Sequence, residues 1–204
     1  MKALYREPLD IVITGVGGQG NVLASQVLGR ALLEAGYTVT VGETYGLSQR
    51  GGAVMSQVRV TTGPALGPLI PENQATAIVS LEPLEALRVL GQYGHPGVVV
   101  LTNDRPLIPL NVQSGQDRYP DLDQLKQAIA GLCGRLYWLP ATEAAFALGA
   151  PILANVVMLG ALLACGILPL SAAQVEAVLS GMFPESKMAA NRLALAKGQE
   201  MAAG

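Results

Sequence analysis

Apolar and polar positions follow two different periods along the first part of the chain. Apolar residues dominate 10–14, a glycine-rich turn follows, and apolar side chains then recur every three or four residues over 21–36. The first pattern predicts a buried strand, and the second predicts an amphipathic helix that a glycine closes. Residues 38–42 alternate and predict a second strand, which completes a β-α-β unit with a right-handed crossover.

The same two patterns continue to the end of the chain. Residues 53–60 alternate with one wetter face, whereas 98–102 is uncharged and β-branched, as expected of a central parallel strand. Residues 61–74 carry three prolines and are predicted to be irregular. Further strands are predicted at 76–81 and 136–139, and further helices at 82–90, 121–133, 171–182 and 186–202, the last capped by Ser186. This alternation predicts an α/β fold: a single domain over residues 1–204, with an open, mainly parallel, Rossmann-like sheet and helices on both faces.

The turn after the first strand carries a candidate anion site. Gly15, Gly17 and Gly20 occupy the three positions of the G-x-G-x-x-G fingerprint, and Gly18 and Gln19 lie between them. Such a loop directs unpaired backbone N–H groups and the positive end of the next helix toward an anion. A helix terminus contributes about 0.3–2 kcal/mol, whereas micromolar binding needs roughly 8 kcal/mol, so other groups must help. The alternative is a glycine-rich turn that only packs helix on strand.

A second polar loop follows the second strand. Glu43 lies roughly 20 residues beyond the glycine loop, where a dinucleotide fold keeps the carboxylate that binds a ribose hydroxyl; a merely solvated or capping role is the alternative. Arg50 is the single cation of residues 43–52, and it is predicted to make a bidentate contact to phosphate or carboxylate. Alternatively, Arg50 pairs with Glu43 inside the loop. The other candidate binding residues of this loop are Ser48, Gln49, Gly51 and Gly52.

The charge composition excludes some partners and favours others. The 13 basic and 15 acidic residues leave a net charge of −2, which provides no basic field for nucleic acid or an anionic membrane. Only 14% of the residues are charged and 50% are hydrophobic. We therefore expect another subunit to cover part of the surface. An ordinary monomer rich in alanine and glycine is the alternative.

Cysteine usage and the amino terminus favour a cytoplasmic protein. Cys133 and Cys165 cannot ligate a four-thiolate iron–sulfur cluster and form no C-x-x-C pair. We expect them to be buried thiols in a reducing cytosol, although their separation in sequence does not exclude a disulfide. Residues 1–8 are charged and lack the apolar core of a signal peptide. The sequence predicts no metal site.

No residue is predicted to be catalytic. His95 is the single histidine, and it precedes the predicted strand at 98–102. In a parallel sheet it would lie at the edge opposite the glycine loop, where it would not act as a general base on a ligand of that loop. Residues 103–120 form a long predicted loop in which Asp104, Arg105 and Asp117 have no assigned role.

Residues 150–170 carry no charge and are just long enough to span a membrane. Pro151, Pro169 and Asn155 interrupt the stretch, and it has neither an aromatic belt nor a basic flank. We therefore expect a buried helix at a subunit interface instead, with Gly160 allowing close approach and Asn155 turned toward a polar site.

Three motifs together carry a family resemblance. These are Gly-Val-Gly-Gly-Gln-Gly at 15–20, Gly-Leu-Ser-Gln-Arg-Gly-Gly at 46–52 and Asn-Val-Val-Met-Leu-Gly at 155–160. With them, the chain resembles the gamma-type domain of 2-oxoacid:ferredoxin oxidoreductases over nearly its whole length. The Ser-Gln-Arg-Gly-Gly form of the second motif is most similar to the beta subunit of indolepyruvate ferredoxin oxidoreductases, since pyruvate and 2-oxoglutarate members more often carry Pro-Glu before the arginine.

The resemblance implies a subunit that is inactive alone. The assembled enzyme would oxidatively decarboxylate an aryl 2-oxoacid with coenzyme A, yielding acyl-CoA, carbon dioxide and reduced ferredoxin. Thiamine diphosphate and the iron–sulfur clusters would belong to the partner subunit, ferredoxin would be met through the complex, and the isolated chain would self-associate. The glycine loop and the Arg50 loop would face the shared active site. There they would hold a phosphorylated group of coenzyme A or of the partner's thiamine pyrophosphate.

Two other functions remain open from the sequence. The first is a stand-alone nicotinamide-dependent dehydrogenase that uses Gly15, Gly17, Gly20 and Glu43, although no plausible proton-transfer residue accompanies them. The second is a purely structural subunit whose glycine loops bind nothing.

Overall fold

Six strands and seven α-helices have their bounds within the residues that the computed structural model describes, namely 2–45, 53–108, 112, 115 and 118–203. The strands are β1 (Leu9–Val16), β2 (Thr38–Tyr45), β3 (Ala53–Thr61), β4 (Ala77–Ser80), β5 (Val99–Asn103) and β6 (Arg135–Leu139). The helices are α1 (Asn21–Glu34), α2 (Pro83–Tyr93), α3 (Leu122–Leu132), α4 (Ala141–Ala147), α5 (Ala154–Ala164), α6 (Ala172–Met182) and α7 (Glu185–Ala203), with a short 3₁₀ helix at Pro151–Leu153.

The strands form one mixed sheet in the order β2-β3-β1-β4-β5-β6. Strands β1, β4, β5 and β6 pair in parallel, whereas β3 is antiparallel to both of its neighbours, β1 and β2. The predicted α/β fold with an open, mainly parallel sheet is therefore confirmed. The strands of the predicted first β-α-β unit, β1 and β2, run parallel but are not neighbours, because β3 lies between them. Val58 and Val60 of β3 are fully buried, which suits an inner strand.

Helices cover both faces of the sheet, as predicted. Alternate residues of β1 point to opposite faces: Ile11 and Ile13 pack in the cluster that contains α1 and α5, whereas Val12 packs in the cluster that contains α2 and α3. Over β2 and β3 the second face is covered by the irregular segment 62–76 instead of a helix. Thr40 Oγ1 donates to Leu66 O at 3.0 Å there.

The uncharged stretch forms a short helix inside the chain's own core. Ten of the eleven residues of α5 are buried, and α7 packs closely along it: a Cβ on Gly160 would lie 2.0 Å from the backbone oxygen of Leu195. The expectation of a subunit interface here is therefore wrong, because α7 and the sheet already cover this helix. None of the helices described is both long and apolar enough to cross a membrane.

Helix ends follow local signals with one exception. Gly36, at φ 94°, ends α1 in a Schellman motif, with Tyr37 N donating to Leu32 O at 3.1 Å. Helix α7 begins at Glu185 directly after Pro184, so the predicted cap at Ser186 is wrong: Ser186 lies inside the first turn.

Candidate functional site

The candidate site lies at the carboxyl edge of the sheet, where the chain changes direction. From β1 the chain crosses through α1 toward β2 and β3, whereas from β4 it proceeds through α2 toward β5 and β6. The connections that leave β1 and β4 thus run to opposite sides of the sheet. Such a switch point leaves a crevice beyond the carboxyl ends of the two strands, which is the usual ligand site of open α/β sheets. The glycine loop occupies one side of this crevice.

Two glycines of the loop adopt conformations that other residues avoid. Gly18 and Gly20 have φ values of 97° and 86°, and Gly20 is the N-cap of α1. A Cβ on Gly20 would lie 2.2 Å from Nδ2 of Asn155, which donates to Gly20 O at 3.3 Å. The structure thus brings Asn155 against the glycine loop across 135 residues of sequence.

Gln19 folds back into the loop. Its Oε1 accepts from Val16 N at 2.7 Å and its Nε2 donates to Leu81 O at 2.9 Å, so the side chain ties the loop to the end of β4. A Cβ on Gly15 would lie 2.6 Å from Oε1 of Gln19 and 2.8 Å from Oδ1 of Asn21. A side chain on Gly15 would therefore displace the Gln19 and Asn21 side chains from their positions inside the loop, and Gly17 and Gly18 form the turn beside it.

Glu43 lies on a strand that is not adjacent to β1, whereas a dinucleotide fold would place this carboxylate on the strand next to β1. It belongs to β2 and pairs with Ser56 of β3, so a whole strand separates it from the end of β1. At about 4.8 Å per strand, β1 and β2 are roughly 10 Å apart. The geometry does not bring Glu43 to the glycine loop in the way the fingerprint predicts.

The second predicted loop lies outside the described residues. Ser48, Gln49, Arg50, Gly51 and Gly52 all fall within 46–52, and their binding roles stay predictions.

A cleft of about 490 Å³ opens beside the glycine loop. Its lining includes Gly18, Gln19 and Arg105, and Arg105 is the one charged residue among the described residues that line it. The guanidinium carbon of Arg105 lies 5.3 Å from the ring centroid of Phe146, within cation–π range. Arg105 had no role assigned from the sequence. Its position two residues after a buried parallel strand was the signal that could have placed it at this edge.

Asn103 connects the residues on two sides of the cleft by hydrogen bonds. Its side chain is 1% exposed at the end of β5, and its Nδ2 donates to Leu81 O at 3.2 Å and to Thr142 Oγ1 at 2.9 Å. Its Oδ1 accepts from Thr142 N at 3.0 Å. These contacts hold the ends of β4 and β5 to the beginning of α4, so the cleft floor is preformed.

The opposite edge of the sheet contains the histidine, as predicted. His95 lies in the turn before β5, where its Nδ1 accepts from Gly97 N at 3.1 Å and its Nε2 lies 3.3 Å from Nη1 of Arg6. In the part of the chain that the structure describes, no group of three His, Cys, Asp or Glu side chains could hold a metal ion.

Comparisons with known proteins agree on one family. The model of the pyruvate ferredoxin/flavodoxin oxidoreductase family matches residues 10–201. Indolepyruvate oxidoreductase subunit IorB of Thermococcus kodakarensis is 40% identical over 194 residues, which cover 95% of each chain. The subunit of the same name from Archaeoglobus fulgidus is 35% identical over the same share of both chains. Among solved structures, the gamma subunit of a keto/oxoacid ferredoxin oxidoreductase from Geobacter sulfurreducens matches with a TM-score of 0.68 at 25% identity, covering 95% of this chain and 98% of that one.

Proposed function

This chain belongs to the pyruvate ferredoxin/flavodoxin oxidoreductase family, and we propose that it is the subunit without iron–sulfur clusters of an indolepyruvate-type member. Together with its catalytic partner it supports oxidative decarboxylation of an aryl 2-oxoacid with coenzyme A, yielding acyl-CoA, carbon dioxide and reduced ferredoxin. The proposed location is the cytoplasm. The observation that carries the proposal is the 40% identity to an indolepyruvate oxidoreductase subunit along 95% of both chains.

The redox groups are assigned to the partner subunit. A four-thiolate cluster needs four cysteines, and this chain has two, Cys133 and Cys165. Both are free thiols, and burial raises the pKa of Cys165 to about 11, which makes it a poor thiolate ligand. The two cysteines thus support placing the clusters of the proposed enzyme on the partner subunit, and we propose that its thiamine diphosphate also lies there.

The partner is proposed to dock on the carboxyl edge around the cleft. Three large apolar side chains that line the cleft are unusually exposed for their type: Leu107 at 42%, Phe146 at 51% and Ile152 at 52%. Apolar groups gathered around a polar site are typical of an interface core. The low charge content of the chain, 14%, supports a large and permanent contact.

The cleft is proposed to hold a phosphorylated group, either of coenzyme A or of the partner's thiamine pyrophosphate. Gly17, Gly18 and Gly20 of the glycine loop, at the positive end of α1, would face the phosphate, whereas the Gln19 amide already donates to Val16 O at 3.2 Å. Arg105 supplies a cation in the same cleft, and Arg50 is the predicted second one. A guanidinium contributes the bidentate contact that a helix terminus alone lacks.

Purifying the chain with and without its partner tests the assignment. We expect indolepyruvate-dependent and coenzyme A-dependent reduction of a viologen dye by the complex, and none by the chain alone. Turnover by the isolated chain would refute the proposal. Comparing indolepyruvate with pyruvate and 2-oxoglutarate in the complex then tests the aryl preference.

Arginine variants of the assembled enzyme test the phosphate site. Removing a charge-assisted hydrogen bond costs about 1.5–3 kcal/mol, so Arg105→Ala and Arg50→Ala are each expected to raise the KM for coenzyme A or the Kd for thiamine diphosphate at least tenfold. Arg30→Ala is the matched control, because Arg30 is exposed on α1 and pairs with Glu34 of the same helix. If both constants stay at the control level in both variants, the cleft does not hold the phosphate.

A stand-alone nicotinamide-dependent dehydrogenase is not favoured, because β3 separates Glu43 from the glycine loop. Calorimetric titration with NAD decides between the two functions: a dehydrogenase would bind NAD, whereas the proposed subunit would not.

A further inference from the structure

The junction between β4 and α2 is hydrogen-bonded to several of the segments that line the cleft. Leu81 O accepts from the side chains of Gln19 and Asn103, which belong to the glycine loop and to the end of β5. The next residue, Glu82, is the N-cap of α2 and is 2% exposed. Ser80 Oγ donates to Glu82 O at 2.6 Å and fixes the backbone between them.

Three donors converge on the buried carboxylate of Glu82. Its Oε2 accepts from Glu85 N at 2.9 Å, which caps α2. Its Oε1 accepts from Leu107 N at 3.4 Å and from the hydroxyl of Tyr119. The carboxylate therefore ties two chain segments outside the helix to the β4–α2 junction, and one of them is the segment that carries Arg105.

The chemistry of these contacts favours an ordered wall. A buried carboxylate is costly unless donors satisfy it, so moving Leu107 N or the Tyr119 hydroxyl away from Glu82 carries a free-energy cost that favours their observed positions. Burial, together with the hydrogen bond to Glu82, raises the pKa of Tyr119, so the phenol keeps its proton and remains a donor. Arg105 itself is exposed and stacks on Phe146.

We propose that Glu82 is a positioning residue: its buried carboxylate fixes residues 105–107 and thereby sets where the Arg105 guanidinium meets the anionic group of the ligand. The inference rests on the proposed function for the identity of that ligand, but the ordering of the segment is a property of this chain alone. Glu82→Gln keeps the size and removes an acceptor, since an amide presents one oxygen to three donors. Tyr119→Phe removes a single donor and leaves the cap of α2 intact.

Hydrogen exchange of the assembled enzyme tests the positioning directly. In Glu82→Gln we expect the Leu107 amide to exchange at least tenfold faster, and in Tyr119→Phe severalfold faster. Tyr93→Phe is the control, because it removes a phenol hydroxyl that contacts Gln57, outside the cleft. It should leave residues 105–107 unchanged. If exchange over these residues is the same in Glu82→Gln as in the control, the proposal is overturned.

A double-mutant cycle tests whether the hydrogen bond between Tyr119 and Glu82 acts through Arg105. We expect Tyr119→Phe to raise the KM for coenzyme A about threefold with kcat retained, and to have no further effect when Arg105→Ala is already present. An equal rise in both backgrounds overturns the link to Arg105. If Arg105→Ala alone leaves KM and thiamine affinity unchanged, the phosphate role of this arginine fails, while the exchange result still decides whether Glu82 positions the segment.

Discussion

The contact between α5 and α7 leaves no space for a methyl group at two glycines. A Cβ on Gly160 would lie 2.0 Å from Leu195 O, and one on Gly198 would lie 1.8 Å from Val157 O, whereas ordinary contacts are 3.4–4 Å. In both cases the obstacle is helix backbone, which cannot rotate away. Gly160→Ala or Gly198→Ala therefore requires the two helices to separate by about 1.5 Å.

The expected cost follows from two opposing contributions. Alanine is favoured over glycine inside a helix by about 1 kcal/mol, whereas overpacking a filled core costs about 1–3 kcal/mol and occasionally more. Because α5 is buried along its length, separation also loses dispersion contacts with the sheet. Because the obstacle is backbone and these contacts are lost as well, we expect a cost at the upper end of this range, and hence a net destabilisation of about 2 kcal/mol for each variant.

Urea unfolding of the purified chain measures these values, and Gly91→Ala is the control. Gly91 lies inside α2, and an alanine Cβ there would meet no neighbouring atom within 4 Å, so this variant should gain about 0.5–1 kcal/mol. The double variant Gly160→Ala/Gly198→Ala should cost less than the two single costs together, because one separation relieves both contacts. If Gly160→Ala and Gly198→Ala have the same free energy of unfolding as Gly91→Ala, the close-packing argument is refuted.

The outcomes for four further variants are expected from the same unfolding assay. Asp10→Asn should destabilise the chain by about 3–5 kcal/mol, because it leaves the Arg59 guanidinium, whose side chain is 11% exposed, without its carboxylate; a loss below about 1 kcal/mol would contradict this. Burial raises the pKa of Glu85, so folding favours its protonated form, and from about pH 4 to pH 7 the stability of Glu85→Gln should rise relative to the wild type; a constant difference would contradict it. Gly18→Ala should cost about 1–2 kcal/mol from its positive φ alone. Gly20→Ala should cost more, because its Cβ also meets a side-chain amide at 2.2 Å; equal costs would show that this contact relaxes freely.

Much of the fold could be predicted from local pattern. The periodicity of α1 and its closing Gly36, the uncharged run of β5 and the irregular segment before β4 are each written into neighbouring residues. The order of the strands is not. Nothing in the alternation of β3 distinguishes an edge strand from one inserted between β1 and β2, because strand order depends on long-range pairing.

The same limit applies to the uncharged stretch at 150–170. Composition shows that it must be buried, but what buries it is a helix about 35 residues further on, matched to it through Gly160 and Gly198. The predicted subunit interface was wrong for this reason. For Asn155 the sequence predicts a position facing a polar site, and in the structure its side chain donates to Gly20 O. The sequence did not indicate that this partner would lie 135 residues away along the chain.

The family resemblance was confirmed, whereas the fingerprint in isolation would have suggested a dinucleotide. At Gly15 and Gly20 the lack of a side chain is explained by internal packing against Gln19, Asn21 and Asn155, so these two glycines are not by themselves a sign of a bound dinucleotide. Inserting β3 next to β1 then removes the carboxylate of β2 from the place where a ribose would lie. The cleft gains Arg105 from the other side of the switch point instead. A loop with the glycines of a dinucleotide site but a cation in place of the acidic partner supports the phosphate site that we propose, with its remaining contacts supplied by the partner subunit.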